Sequence, residues 1–112
     1  MDIAVEDLAG GATRIVLRGR LDTTAAVLIE LPFNTVATEK KAIVVDLSAV
    51  DFLSSGGIRV LLLGAKIAAS KGGKLTIVCP DNNVAKVLNV AGISNVIPVF
   101  ESENAALAAV MS

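Results

Sequence analysis

The run Ala42-Ile43-Val44-Val45-Asp46-Leu47 constrains this chain more than any other stretch. It is nearly continuous in apolar, β-branched residues, the pattern of a strand buried on both faces. Such a strand needs packed layers above and below it, which directs the chain towards an α/β architecture. Its continuation through Ser48-Ala49-Val50-Asp51-Phe52-Leu53 reads as a bend. Ser54-Ser55-Gly56-Gly57 follows as a turn, and Ile58 lies in a helix. Small hydroxyl side chains therefore stand at the opening of a helix. Backbone N–H groups there lack intrahelical partners and the macrodipole is positive, so an anion attached at that point is accommodated. The chain has no histidine. A serine in this place is better suited to being modified than to acting as a nucleophile.

The flanking segments alternate between strand and helix. Ile3–Leu8 reads as a short strand, Gly10-Gly11 as a turn, and Thr13–Gly19 as a strand paired back in a hairpin. Leu21-Asp22-Thr23-Thr24 supplies N-cap residues for a helix over Ala25–Lys40, which Pro32 should end or kink near Leu31. Gly57–Ser70 is the next helix, closed by Gly72-Gly73, and Lys74–Cys79 is a second central strand. Pro80-Asp81-Asn82 opens a helix to about Ala91, stopped by Gly92. Asn95–Phe100 reads as a Pro-interrupted edge strand, and Ser102 or Glu103 opens a last Ala-rich helix. The expected fold is a single α/β domain over residues 1–112. It has one mixed sheet of four to five strands, right-handed crossovers and about four helices packed mainly on one face.

Composition removes several function classes. Of the 112 residues 54% are hydrophobic but only 3% aromatic, so the core must be aliphatic. Net charge is −1, no basic run exists, and three Phe are too few for a stacking platform, so nucleic-acid binding is not expected. The single cysteine, Cys79, forms no internal disulfide and reads as a small buried hydrophobe in a reducing cytoplasm. The acidic start has no signal-peptide character, and Arg59 and Lys66 interrupt the longest apolar stretches, so no membrane insertion is expected. A mean hydropathy of +0.71 implies apolar surface left open for a partner. A Ser-His-Asp triad is impossible, the turn is not a G-x-S-x-G elbow, and no Walker A or G-x-G-x-x-G motif occurs. A Ser–Lys dyad with Lys66 or Lys71 is the one enzymatic arrangement left open. No carboxylate cluster has metal-binding spacing, and neither a cofactor nor a metal is expected. On a helical wheel Arg59, Lys66 and Ser70 form a polar stripe opposite Ile58, Leu61, Leu62, Ala65 and Ala69. Leu63 lies beside the polar stripe, where with Arg59 it could meet another protein.

Taken together, Gly19-Arg20-Leu21-Asp22, the segment Ile43–Phe52, Ser54-Ser55-Gly56-Gly57-Ile58 with Gly72-Gly73, and Val87–Ile93 resemble the STAS domain family. Within it they resemble the stand-alone anti-sigma factor antagonists. The family pattern in the signature loop is Asp-Ser-Ser-Gly or Asp-Ser-Thr-Gly. Here Ser54 stands at the Asp, Ser55 at the phosphorylated hydroxyl, Gly56 at the second hydroxyl residue and Gly57 at the motif glycine. The resemblance implies a cytoplasmic partner switch. The unmodified protein would bind an anti-sigma factor with serine kinase activity and release the sigma factor. Phosphorylation at Ser55, or alternatively Ser54, would abolish binding, and a phosphatase would reverse it. By the same resemblance Asp22, Thr23, Ser54, Gly56, Gly57, Ile58 and Arg59 would contact the partner, and Leu63 joins them from the helical-wheel reading. Phosphorylation adds roughly −1.5 to −2 charges near Asp22, Asp46 and Asp51. Alternatives within the family are a transporter-associated module, a small-ligand or lipid-linked module, and a stressosome-like scaffold component. Asp22 also reads as a plain helix cap, and Asp46 as a side chain satisfied by backbone N–H groups in the bend. Oligomeric state is open.

Overall fold

Strand β3 runs from Ala42 to Leu53 at the centre of the sheet. The computed structural model describes residues 1–112. Ile43, Val44 and Val45 are fully buried, Ile43 and Val45 in the larger core and Val44 in a smaller one, so the strand is covered on both faces. Flanking it are β2 (Thr13–Leu21) and β4 (Lys74–Val78), both parallel to it. Two edge strands complete the order β1-β2-β3-β4-β5: β1 (Asp2–Asp7), antiparallel to β2, and the two-residue β5 (Val99–Phe100), parallel to β4.

The expected bend after Leu47 is not a strand end. β3 continues to Leu53 because its pairing with β2 slips twice, between Val16↔Asp46 and Arg18↔Ala49 and again between Gly19↔Val50 and Arg20↔Phe52. A bulge lets a strand absorb extra residues while its ladder continues. Asp46 serves the first slip: its Oδ1 accepts the Ser48 amide at 2.8 Å and the Ser48 hydroxyl at 2.5 Å. This is the backbone-satisfying role read from sequence.

Helices α1 (Thr23–Glu39), α2 (Ser55–Ser70) and α3 (Asn82–Val90) contribute to the larger core with Ile15, Leu17 and Leu47. Helix α4 (Glu103–Met111) packs Ala106 and Val110 on Val44 and Val78 across the sheet. Arg14 pins α4 by bonding Glu103 at 2.6 Å and Glu6 at 3.0 Å, and these hydrogen bonds hold its guanidinium protonated even more firmly than usual. Thr76, buried beneath α4, donates to the Ala106 carbonyl at 3.1 Å. The expected mixed sheet with helices mainly on one face is thus the observed architecture. No helix is long and apolar enough to cross a membrane.

Three local expectations are corrected. Pro32 does not end α1, which continues to Glu39. Pro32 lies on the exposed side, so the Leu28 carbonyl, which loses its amide donor, can be hydrated. Asn95–Phe100 is not one strand: a 3₁₀ turn at Ile93–Asn95 follows Gly92 (φ 77°), and only Val99–Phe100 pairs regularly with β4. The buried side of α2 is Gly57, Val60, Leu61, Gly64 and Ala68, which shares Leu61 with the expected apolar side; Ile58, Leu62 and Ala65 of that side are half-buried against the core and Ala69 is exposed. Hydrophobicity alone left the centre of that face off to one side because two of its contact positions are glycines. A Cβ on Gly64 would stand 2.1 Å from Phe33 Cε2 of α1, so the absence of a side chain sets the helix separation.

Candidate functional site

β2 and β3 end in register, Leu21 opposite Leu53. The chain leaves Leu21 into α1 and leaves Leu53 into α2, so two helix N-termini open from adjacent strands at the C-terminal edge of the parallel sheet. This is the edge where open α/β sheets place their sites. Asp22 caps α1, its Oδ1 accepting the Ala25 amide at 2.9 Å. Ser54 caps α2 and locks the two ends together. Its amide and its hydroxyl each donate to the Leu21 carbonyl at 2.9 Å, and its Oγ accepts the Gly57 amide at 3.1 Å.

The two serines therefore differ in kind. Ser54 is half-buried with its hydroxyl engaged as donor and acceptor. Ser55 is the first residue of α2 and its side chain is exposed. An anion carried on Ser55 meets the free N–H groups and positive dipole at the start of α2, with the start of α1 alongside.

Of the two glycines, Gly57 is the one that lets this junction close. A Cβ on Gly57 would lie 2.6 Å from Leu21 Cγ and 3.1 Å from the Leu21 carbonyl oxygen, the acceptor that Ser54 uses. Gly56 has ordinary room, with its nearest neighbours Ala26 Cβ at 3.5 Å and Thr23 Cα at 3.7 Å. Asp22, Thr23, Ser54, Gly56 and Gly57 thus form one cluster. Ile58 and Arg59 diverge from it on opposite sides. Arg59 crosses to α1 and pairs with Glu30 at 2.5 Å. Ile58 faces α3, where it lines an apolar hollow with Lys86, Val87, Val90 and Ala91. Leu63 is half-buried two turns further on, about 12 Å along the helix from Ser55, so it lies outside the cluster.

Val87 and Val90 were missed by the sequence reading. The available signal was the place of Val90 on the polar side of α3, among Asn83 and Lys86; it is 88% exposed. The Ser–Lys dyad does not form: α2 carries Lys66 about 16 Å and its end at Lys71 about 24 Å along the axis from Ser55. No group of three or more His, Cys, Asp or Glu is placed to hold a metal ion. Cys79 is buried as expected, and burial, with Asp81 second, pushes its thiol pKa up.

The sequence profile of the STAS domain matches residues 7–106. The chain belongs to the STAS domain family. A Bordetella bronchiseptica protein, BtrV, assigned as an anti-sigma factor antagonist, is 36% identical over 70 residues, which cover 62% of this chain and 60% of BtrV. The chain therefore matches less than two thirds of that relative's length. An anti-sigma F factor antagonist of Paenibacillus polymyxa is 24% identical over 99 residues, covering 87% of this chain and 85% of the relative. The crystal structure of an anti-sigma factor antagonist from Mycobacterium paratuberculosis superposes with a TM-score of 0.90 at 26% identity, over 99% of this chain and 94% of that one. Against the STAS loop pattern, Ser54 in place of the Asp still supplies a cap oxygen to Gly57, so the loop keeps its anchoring in this chain.

Proposed function

We propose that this STAS protein is an anti-sigma factor antagonist that acts in the cytoplasm by partner switching, through binding rather than catalysis. The observation that carries the reading is the division of labour at the α2 N-terminus: Ser54 is consumed as a cap while Ser55 presents its hydroxyl to solvent. Ser55 is the phosphorylation site and Ser54 its scaffold. The names of the relatives support the anti-sigma factor as partner. Its serine kinase activity and the opposing phosphatase follow from the family resemblance.

The partner surface centres on Ser55 and includes Asp22, Thr23, Gly56 and Arg59 towards α1, and Ile58 with Val87 and Val90 towards α3. Unmodified, this surface sets a neutral hydroxyl between polar and charged side chains towards α1 and the apolar patch of Ile58, Val87 and Val90 towards α3. A phosphate on Ser55 brings roughly −1.5 to −2 charges. Within the fold the helix N-terminus favours it by about 0.3–1 kcal/mol. Against a partner shaped for a hydroxyl, the same charge is desolvated without a counter-ion, which costs several kcal/mol. The switch thus changes affinity without refolding the protein. The hollow beside Ile58 is open at the surface, which suits a partner side chain better than an enclosed small ligand.

The test is a calorimetric titration with the anti-sigma factor identified by affinity capture on the unmodified protein. Unmodified protein and Ser55→Ala bind; the phosphorylated form and Ser55→Asp bind at least about 100-fold more weakly, equivalent to about 2.7 kcal/mol. Equal binding by the phosphorylated and unmodified forms would refute the switch.

A further inference from the structure

Helix α1 is apolar on two sides. Its inner side buries Ala25, Ala26, Ile29, Phe33, Val36 and Ala37. Its outer side carries Val27, Leu28 and Leu31, which are 72%, 69% and 77% exposed. Around them stand Thr24, Pro32, Asn34, Thr35 and Thr38, and Glu30 is the only charged residue from Thr23 to Thr38. Glu30 is turned to the α2 side, where Arg59 neutralises it. An ordinary surface helix carries charge on its outer face, and one that is apolar on both sides is covered by something else. Two of the three hydroxyls on this face are already satisfied within the helix: Thr35 donates to the Leu31 carbonyl at 2.9 Å and Thr38 to the Asn34 carbonyl at 2.8 Å.

The arrangement is self-complementary. Leu31 lies at the midpoint of Thr24–Thr38. A two-fold axis through Leu31, with the helices antiparallel, sets Leu31 on its own copy, Val27 against the Thr35 methyl, and Thr24 against Thr38. The same operation sets Asp22, at the N-cap, opposite Lys40, at the C-cap. The strip is uncharged where it must be dry, and opposite charges meet at its two ends. Lys40 reaches Asp7 of its own chain at only 3.5 Å and remains exposed enough to serve both. We propose that the protein self-associates as a two-fold dimer through α1, antiparallel about Leu31. The three exposed side chains offer on the order of 400 Å² per copy, about half the usual area of a stable interface, so the dimer is weak and concentration-dependent. It covers Asp22 and Thr23, so it competes with any partner that docks there.

Sedimentation equilibrium of the purified full-length protein, from micromolar to millimolar, tests this. The average mass rises from the 11.4 kDa of one chain towards twice that value. Leu31→Glu and Leu31→Arg each weaken the dimer by about 100-fold or more while leaving the folded circular dichroism spectrum intact, because Leu31 touches little of its own chain. On mild oxidation Leu31→Cys gives a disulfide-linked dimer far faster than Val90→Cys, which is more exposed but off the axis; the buried Cys79 does not interfere. Wild-type protein that stays monomeric at millimolar concentration overturns the proposal, as do equal cross-linking rates at positions 31 and 90. Loss of anti-sigma factor binding in Leu31→Glu with the self-association unchanged assigns the strip to the heterologous partner and also overturns it.

Discussion

Gly56 and Gly57 are neighbours in one helix turn, and replacing each with alanine should move stability in opposite directions. Gly57→Ala places a methyl 2.6 Å from Leu21 Cγ, 2.9 Å from Leu21 Cδ2 and 3.1 Å from the Leu21 carbonyl oxygen. The side chain can turn away only within a packed core, and the carbonyl cannot, because Ser54 holds it with both its amide and its hydroxyl. Overpacking of this kind costs about 1–3 kcal/mol, and the upper end applies because backbone must move. Alanine returns about 1 kcal/mol in helix propensity. The net is a loss of about 2 kcal/mol, or a fall in Tm of roughly 10 °C for a domain of this size. Gly56→Ala meets only ordinary contacts at 3.5 Å and beyond, so propensity dominates and stability rises by about 0.5–1 kcal/mol. Urea denaturation of the two variants beside wild type measures both. A change of the same sign at both positions would refute the claim that the Leu21–Ser54 junction, rather than helix propensity, dictates the signature loop.

Ser54→Ala should cost about 1 kcal/mol of stability through the lost cap, while Ser55→Ala stays within about 0.5 kcal/mol of wild type, both read by the same denaturation. Pro32→Ala restores the amide that Leu28 lacks and should stabilise α1 by up to about 3 kcal/mol, seen as a higher Tm. Cys79 has a raised thiol pKa in the folded state, so the fold binds this proton more tightly than the unfolded chain does. Its contribution is present below the ordinary value of 9.0 and is lost as pH rises beyond it; Cys79→Ala should lessen the alkaline decline in stability, measured by denaturation across that range.

Much of this molecule was legible because single residues decided local structure. The β-branched run at Ala42–Leu47 announced a covered central strand, and Asp22, Ser54, Asp81 and Ser102 each cap the helix expected near them. What escaped depended on tertiary neighbours. Pro32 continues a helix because its exposed side lets an unpaired carbonyl meet water. The inner face of α2 was placed only in part, because Gly57 and Gly64 look neutral on a hydrophobic wheel, yet they are where Leu21 and Phe33 come closest. Within the site, the spacing of Ser54 and Ser55 indicated a helix opening. Their unequal roles appeared only once Leu21, 33 residues before Ser54, was seen to occupy the Ser54 hydroxyl. The Val87–Val90 side of the surface comes from a different helix and left only the trace of one valine among polar neighbours.

Phosphosite mapping tests the central claim most directly. Wild type, Ser54→Ala and Ser55→Ala are incubated with ATP and an extract of the source cells, then read by intact and tryptic mass spectrometry. The account predicts a single phosphate on Ser55 in wild type and none at this loop in Ser55→Ala, with Ser54→Ala still modified at Ser55. Phosphate on Ser54, or none at either serine under conditions that modify a control STAS protein with its own kinase, would contradict it.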